Sequence, residues 1–149
     1  DTENANTKRD WGKLLHFVLS KISYSHQKYE VLNKMYKLGN FTHEDYQELQ
    51  NVVEDLLNHE EIKPFFTDDW EVKNEKEILM NNGRTYIPDR LLFSKTTDKV
   101  VVIDYKTGKE LAKHESQITD YANSLILMGN RNVERILIYT SENIKVVRL

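Results

Sequence analysis

The amino-acid sequence predicts an α/β protein with a helical first half and, in its second half, a β-sheet with helical cover. Two observations support this prediction. In the first half, apolar residues recur three and four positions apart, which is the spacing of one helix face. In the second half, turn residues separate short apolar and β-branched runs, and one helical segment interrupts them. A chain of 149 residues can bury a sizeable core, so we predict a single domain over residues 1–149.

The first half is predicted to form three helices. Thr7 is expected to cap the first, in which an apolar stripe continues to Ile22. The second covers residues 29–36 and ends at Gly39, a residue type suited to the position just after a helix. Thr42 opens the third, because acidic residues follow it in the first turn and an apolar face follows them.

The second half is predicted to form the sheet. Residues 70–80 and 84–93 are expected to be two strands joined by a hairpin at Asn82 and Gly83. After a turn at 95–98, the β-branched run 100–103 is typical of a strand that is covered on both faces. The predicted elements that follow are a helix over about 113–128 and two strands over 134–139 and 143–147.

The composition is typical of a folded, globular protein. Hydrophobic residues make up 39% of the chain and charged residues 30%, a balance unlike that of disordered chains. The chain has no cysteine, which excludes disulfides, thiolate zinc sites, iron–sulfur clusters and cysteine nucleophiles. No signal peptide and no apolar stretch long enough to cross a bilayer is visible, so we expect no membrane partner and a cytoplasmic location.

The formal net charge of the chain is -3, whereas a free-standing DNA-binding domain is usually basic. Contact with nucleic acid would therefore need a local basic patch, a metal ion or another part of the protein that delivers the strand. The chain begins at Asp1 without a methionine, and we expect it to be a segment excised from a longer chain.

Asp89, Asp104 and Lys106 form the first candidate site. Alternation along a strand places Asp104 and Lys106 on one face and turns Tyr105 away, and a hairpin partner can bring Asp89 beside them. Two carboxylates beside one lysine can hold a divalent cation and place a water next to a phosphate. The alternative is a charged strand end exposed to water. Asp104 directly follows a buried run, where an unpaired carboxylate is costly, and this position favours the functional interpretation.

His16 lies four residues after Gly12 on the first predicted helix, so both face the same way. His16 is a candidate nitrogen ligand to the metal, although a lone histidine on an apolar helix is more often a satisfied core residue. The other four histidines show no ligand spacing and are interpreted as surface or local capping residues; they are His26, His43, His59 and His114.

Two further pairs are candidates. Glu75 and Glu77 alternate on the strand before the hairpin, and either could bring a third carboxylate, although an exposed strand face explains them equally well. Gln117 and Tyr121 lie four apart on the helix after Lys106 and share a face. They could contact a phosphate or hold the lysine, while the simpler interpretation places Tyr121 in the core.

Taken in order, these residues resemble the RecB-type branch of the PD-(D/E)xK nuclease superfamily. That branch shows a helical G-x-x-x-H, an acid, an aspartate after a hairpin, D-Y-K-T, and Q-x-x-x-Y. The corresponding residues here are Gly12 with His16, Glu75, Pro88-Asp89, Asp104-Tyr105-Lys106-Thr107, and Gln117 with Tyr121. Each motif is weak alone; all five in order, over residues 12–121, make a specific signal.

The resemblance implies a restriction-endonuclease-like mixed β-sheet flanked by helices and a DNA nuclease that depends on Mg²⁺, with Mn²⁺ as a substitute. It implies these roles: His16, Asp89 and Asp104 as metal ligands, joined by the carbonyl of Tyr105; Lys106 as the catalytic lysine; Glu75, favoured over Glu77, as the further catalytic acid; and Gln117 and Tyr121 as supporting or DNA-contacting residues. It also implies DNA as the substrate, and as partners the helicase module of the same chain and a second helicase–nuclease subunit.

Three functions follow from these expectations. The first is the nuclease domain of an ATP-dependent helicase–exonuclease that acts in DNA end processing, recombination and repair. The chain has no Walker A motif, so any ATP-driven unwinding would belong to sequence outside it. The second is a stand-alone endonuclease or junction resolvase of the same fold, which would be expected to show more basic surface. The third is a catalytically silent domain kept for DNA or protein contact, although such a domain should have lost an acid or the lysine.

Overall fold

The computed structural model describes residues 2–74, 76–80, 83–141 and 143–149, and for residues 2–9 it describes the backbone alone. The chain divides into two compact units, Asp1–Asp68 and Asp69–Leu149. The single nuclease domain over residues 1–149 stays a prediction. Glu75 and Asn82, which the sequence places in the candidate site and in the hairpin turn, lie outside the described residues.

The first unit is helical, as predicted. Its three α-helices are α1 (Thr2–Lys21), α2 (Lys28–Lys37) and α3 (His43–Asn58), and two short 3₁₀ helices cover Ser25–Gln27 and Lys63–Phe66. The core of α2 and α3 consists of fully or almost fully buried apolar side chains at helical spacing: Leu32, Met35, Leu49, Val53, Leu56 and Leu57.

Two of the predicted helix boundaries are confirmed. The hydroxyl of Thr42 accepts a hydrogen bond from the backbone N–H of Asp45 at 3.2 Å, which caps the start of α3. Gly39 has φ of +79°, and its N–H donates to the carbonyl of Tyr36 at 3.0 Å, so it ends α2 in the left-handed conformation that glycine adopts without strain.

The predicted start of the first helix is wrong. Helix α1 begins at Thr2, so Thr7 lies inside the helix and does not cap it. The residues before Thr7 include neither proline nor glycine, and nothing in that segment stops the helix from extending toward the N-terminus. A threonine that could cap a helix therefore marks the start of the helix only where the residues before it are not helical.

The second unit is built around a five-stranded mixed sheet. In the order in which they lie side by side, its strands are β1 (Trp70–Val72), β4 (Arg90–Ser94), β5 (Lys99–Lys106), β6 (Asn132–Tyr139) and β7 (Lys145–Arg148). Strands β5 and β6 are parallel and the other neighbours are antiparallel. A separate hairpin pairs β2 (Ile78–Leu79) with β3 (Thr85–Tyr86), and helix α4 (Ala112–Leu127) connects β5 to β6.

The two long strands predicted around the hairpin are each divided in two. Residues 70–80 supply β1 of the main sheet and β2 of the hairpin, and residues 84–93 supply β3 and β4. Pro88 lies in the break between β3 and β4, where its missing N–H cannot continue a ladder. The hairpin is confirmed: Gly83 has φ of +81°, and its N–H donates to the carbonyl of Met80 at 2.9 Å.

Helix α4 covers one face of the sheet. Ile118, Tyr121 and Leu125 of α4 are fully buried against alternate residues of the strands, among them Leu91 of β4 and Val102 of β5. The residues of β5 that point the other way, Val101, Ile103 and Tyr105, are at most 3% exposed. Strand β5 is therefore buried on both faces, as its β-branched run predicts.

The described part of the chain is thus a mixed α/β structure with four α-helices, a five-stranded mixed sheet and a two-stranded sheet. This confirms the predicted α/β class, the mixed sheet and the helical first half. Among the residues that the structure describes, no helix is long and apolar enough to cross a membrane.

Candidate active site

Asp89 and Asp104 meet where β4 begins and β5 approaches its end. The antiparallel register pairs Arg90 with Ile103, which brings Asp89, the residue before Arg90, beside Asp104, the residue after Ile103. The backbone N–H of Asp89 donates to Oδ1 of Asp104 at 3.0 Å. The N–H of Tyr105 donates to Oδ2 of Asp89 at 2.8 Å. Each carboxylate therefore holds the backbone beside the other, and two acids are fixed at one point of the sheet.

The carboxylate of Asp104 is almost completely buried. The residue is 2% exposed, and its Oδ2 atom has no hydrogen-bond partner among the described residues. Burial raises the pKa of Asp104, while the hydrogen bond from Asp89 and the charge of Lys106 lower it. A buried carboxylate with one unsatisfied oxygen is costly as an anion, and either a proton or a cation would relieve that cost.

Lys106 lies two residues after Asp104 and on the same face of β5. It is half-buried at the last position of the strand, and its positive charge acts directly on the pKa of Asp104. The structure therefore brings together Asp89, Asp104 and Lys106, the three residues on which the sequence analysis depended. An ammonium beside two carboxylates at a strand end can stabilise negative charge on a bound phosphate.

Tyr105 points to the opposite face of the sheet, as the alternation predicts. Its side chain is 3% exposed, and burial raises the pKa of its hydroxyl. Its contribution to the site is made by the backbone, because its N–H is the group that binds Asp89. The role of its carbonyl as a metal ligand stays a prediction.

Tyr121 and Gln117 occupy different surroundings on α4. Tyr121 is fully buried, and its hydroxyl donates to the backbone carbonyl of Lys76 at 3.1 Å. Burial and the charge of Asp104 raise the pKa of Tyr121 to about 12, so the phenol stays protonated and can keep donating. Tyr121 thus fixes the segment that follows β1, whereas Gln117 is exposed to solvent.

The remaining candidate residues are placed as follows. His16 is half-buried on α1 of the first unit, and Glu77 is exposed just before β2 of the second. Glu75 lies outside the described residues. The convergence of His16 and Glu75 with the aspartates stays a prediction.

The described residues fit the divalent cation that the resemblance implies only in part. Among them, no group of three or more histidines and acids is placed to hold a metal. They do provide two carboxylates fixed by backbone hydrogen bonds, one of them buried with an unsatisfied oxygen, and oxygen donors of this kind suit Mg²⁺. Asp89 and Asp104 therefore fit part of a magnesium site.

One residue near the site was missed by the sequence analysis. His114, interpreted as a surface or capping residue, is 9% exposed on α4, and its Nδ1 lies 3.0 Å from the hydroxyl of Tyr139. Tyr139 is the register partner of Lys106 on β6. Burial lowers the pKa of His114, and Lys106 and Lys113 lower it further. The only signal in the sequence was that His114, Tyr121 and Leu125 share one helix face.

No family model and no curated protein matches this chain. The resemblance to RecB-type nucleases therefore depends on the residues quoted above.

Proposed function

We propose that this chain is a Mg²⁺-dependent deoxyribonuclease of restriction-endonuclease-like fold that acts as the nuclease module of an ATP-dependent helicase–nuclease. The observation that carries the proposal is the pair of reciprocal hydrogen bonds between Asp89 and the segment Asp104–Tyr105, with Lys106 on the same face. The motif order quoted above supports it independently. DNA, the helicase module, a second subunit and a cytoplasmic location belong to this proposal.

Asp89, Asp104 and Lys106 would have different roles in phosphodiester hydrolysis. Asp89 and Asp104 would hold the cation, and the backbone bonds keep both carboxylates in place before it binds. When bound, Mg²⁺ supplies Lewis-acid activation of water and neutralises charge on the phosphate. Lys106 places a positive charge beside the phosphate oxygens, where negative charge grows during attack by water.

The decisive experiment is a nuclease assay on linear duplex and single-stranded DNA with Mg²⁺. Asp104→Asn removes the charge but keeps an oxygen for the N–H of Asp89, and Lys106→Ala removes the ammonium. We expect each to reduce cleavage at least about 100-fold while thermal unfolding shows a folded protein. Two matched controls, Asp55→Asn and Lys109→Ala, change exposed residues outside the site and should cut like the wild type. Wild-type cleavage by Asp104→Asn would exclude the site.

A further inference from the structure

Two lysines of the segment between β1 and β2 lie over one aromatic ring. Nζ of Lys73 is 5.0 Å and Nζ of Lys76 is 5.6 Å from the centroid of the Phe93 ring, both within the range of cation–π attraction. Phe93 belongs to β4, and Lys76 is half-buried. The ring therefore gathers two positive charges at one place on a chain whose net charge is -3.

The backbone of this segment is fixed at both lysines. The N–H of Lys73 donates to the carbonyl of Leu91 on β4 at 2.8 Å. The carbonyl of Lys76 accepts the hydroxyl of the fully buried Tyr121 at 3.1 Å. Because the backbone and the ring both restrict the lysines, less side-chain entropy remains to be lost when they bind an anion.

A cavity of about 420 Å³ lies beside Phe93. Two cations, Lys99 and Arg131, and one acid, Asp98, line it. Lys99 is neutralised by Glu134 at 2.8 Å, and Lys73 has a looser pair with Glu71 at 3.7 Å. Among the described residues, no carboxylate lies within ion-pair distance of Lys76 or Arg131.

The cavity and the aspartate pair lie on the same face of the sheet. Asp89, Leu91 and Phe93 follow one another at intervals of two positions, so their side chains point to the same face of the strand. Leu91 belongs to the core cluster under α4, and Phe93 packs against that cluster. Phe93 lies four positions after Asp89, which is about 13 Å along a strand.

We propose that Lys73 and Lys76, which lie over the Phe93 ring, and Arg131, which lines the cavity beside it, bind the phosphates of a single nucleic-acid strand a few nucleotides away from Asp89 and Asp104. The inference rests on the proposed nuclease function for the identity of the ligand. A single backbone fits the small footprint of two lysines over one ring, and a local cluster of cations is what a chain of net negative charge needs to hold a polyanion.

The test measures binding without cleavage. The 149-residue chain is titrated in EDTA against a labelled oligothymidylate of about 16 nucleotides, followed by fluorescence anisotropy at several salt concentrations. The variant Lys73→Gln/Lys76→Gln should bind at least about tenfold more weakly at low salt, and its plot of log K against log salt should be shallower by about 1.4. Phe93→Leu, which removes the ring but keeps an apolar side chain, should weaken binding in the same direction.

A matched control removes the same charge elsewhere. Lys63→Gln/Lys145→Gln changes two exposed lysines that pair with Glu60 and Glu110, and it should keep wild-type affinity and slope. Poly-glutamate of equal charge should compete poorly, because the proposal assigns the site to a nucleic-acid strand. Three results would each overturn the proposal. The Lys73/Lys76 double variant could bind with the affinity and slope of the wild type, both double variants could lose affinity equally, or poly-glutamate could displace the oligonucleotide fully.

The result separates this inference from the nuclease proposal. If the lysines carry binding but the chain cuts no DNA with Mg²⁺, the binding site stands and the nuclease function fails. If the wild type cuts DNA and the double variant binds with unchanged affinity and slope, the binding site fails and the nuclease function stands.

Discussion

The carboxylate of Asp104 binds the backbone of Asp89, and the carboxylate of Asp89 binds the backbone of Tyr105, the residue after Asp104. The N–H of Asp89 donates to Asp104 at 3.0 Å, and Asp89 in turn accepts the N–H of Tyr105 at 2.8 Å. The two acids lie 15 residues apart in the chain, so only the pairing of β4 with β5 makes the arrangement possible. Because the bonds are made to backbone groups, the carboxylates have their positions before any ligand arrives.

Two variants of Asp89 can distinguish the effect of its hydrogen bond on stability from the effect of its charge on cleavage. Asp89→Asn keeps a side-chain oxygen for the N–H of Tyr105, whereas Asp89→Ala leaves that N–H without its acceptor. We expect both variants to lose Mg²⁺-dependent cleavage, and Asp89→Ala alone to lose about 1–3 kcal/mol of unfolding free energy. Urea denaturation of the two variants measures the difference, and equal stability of the two would contradict the structural role.

His114 predicts a pH dependence of stability. Burial, and then Lys106 and Lys113, lower the pKa of His114 from 6.5 in the folded state. A histidine whose folded pKa is depressed contributes stability above its unfolded pKa and loses it as the pH falls toward the folded pKa. The wild type should therefore lose stability relative to His114→Gln as the pH falls below 6.5.

The measurement is the free energy of unfolding of both proteins between about pH 7.5 and pH 5. Glutamine can still bond to the hydroxyl of Tyr139 but does not titrate, so it isolates the protonation of the imidazole. Parallel stability curves for the two proteins over this range would show that protonation of His114 costs nothing.

Tyr121 fixes the segment that carries Lys73 and Lys76. Tyr121→Phe removes the hydrogen bond to the carbonyl of Lys76 while keeping the ring that lies edge-on to Tyr86. We expect a loss of about 1 kcal/mol in unfolding free energy and faster cleavage by trypsin after Lys73 and Lys76. Tyr36→Phe, at an exposed aromatic residue of α2, is the control and should leave the rate of trypsin cleavage at those two lysines unchanged.

Two leucines of α4 test which face of the helix carries the core. Leu125 is fully buried in the cluster against the sheet, and Leu127 is 76% exposed. Leu125→Ala should cost about 2–5 kcal/mol because it leaves a cavity. Leu127→Ala should change stability by no more than about 0.5 kcal/mol. Chemical denaturation of both variants, which have the same helix propensity, distinguishes packing from a helix effect.

Much of the fold was predictable because it depends on neighbouring residues. The apolar spacing of α3, the cap at Thr42 and the glycine at the end of α2 are local signals, and each is where the sequence predicts. The divided strands were not predictable in this way. The composition of a segment can predict a strand, but it does not predict which of two sheets the strand will join. That pairing depends on the distant strands of the main sheet and of the hairpin.

The same distinction applies to the candidate site. The sequence by itself determined that Asp104 and Lys106 share a face of β5 and that Tyr105 is turned away, because side chains alternate along any strand. The tertiary structure decided that Asp104 is buried with a raised pKa, that Asp89 is bonded to the segment beside it, and that two lysines meet over Phe93. These features depend on contacts between distant parts of the chain and on the exclusion of water. The spacing of residues within one strand or helix predicts neither the contacts nor the burial.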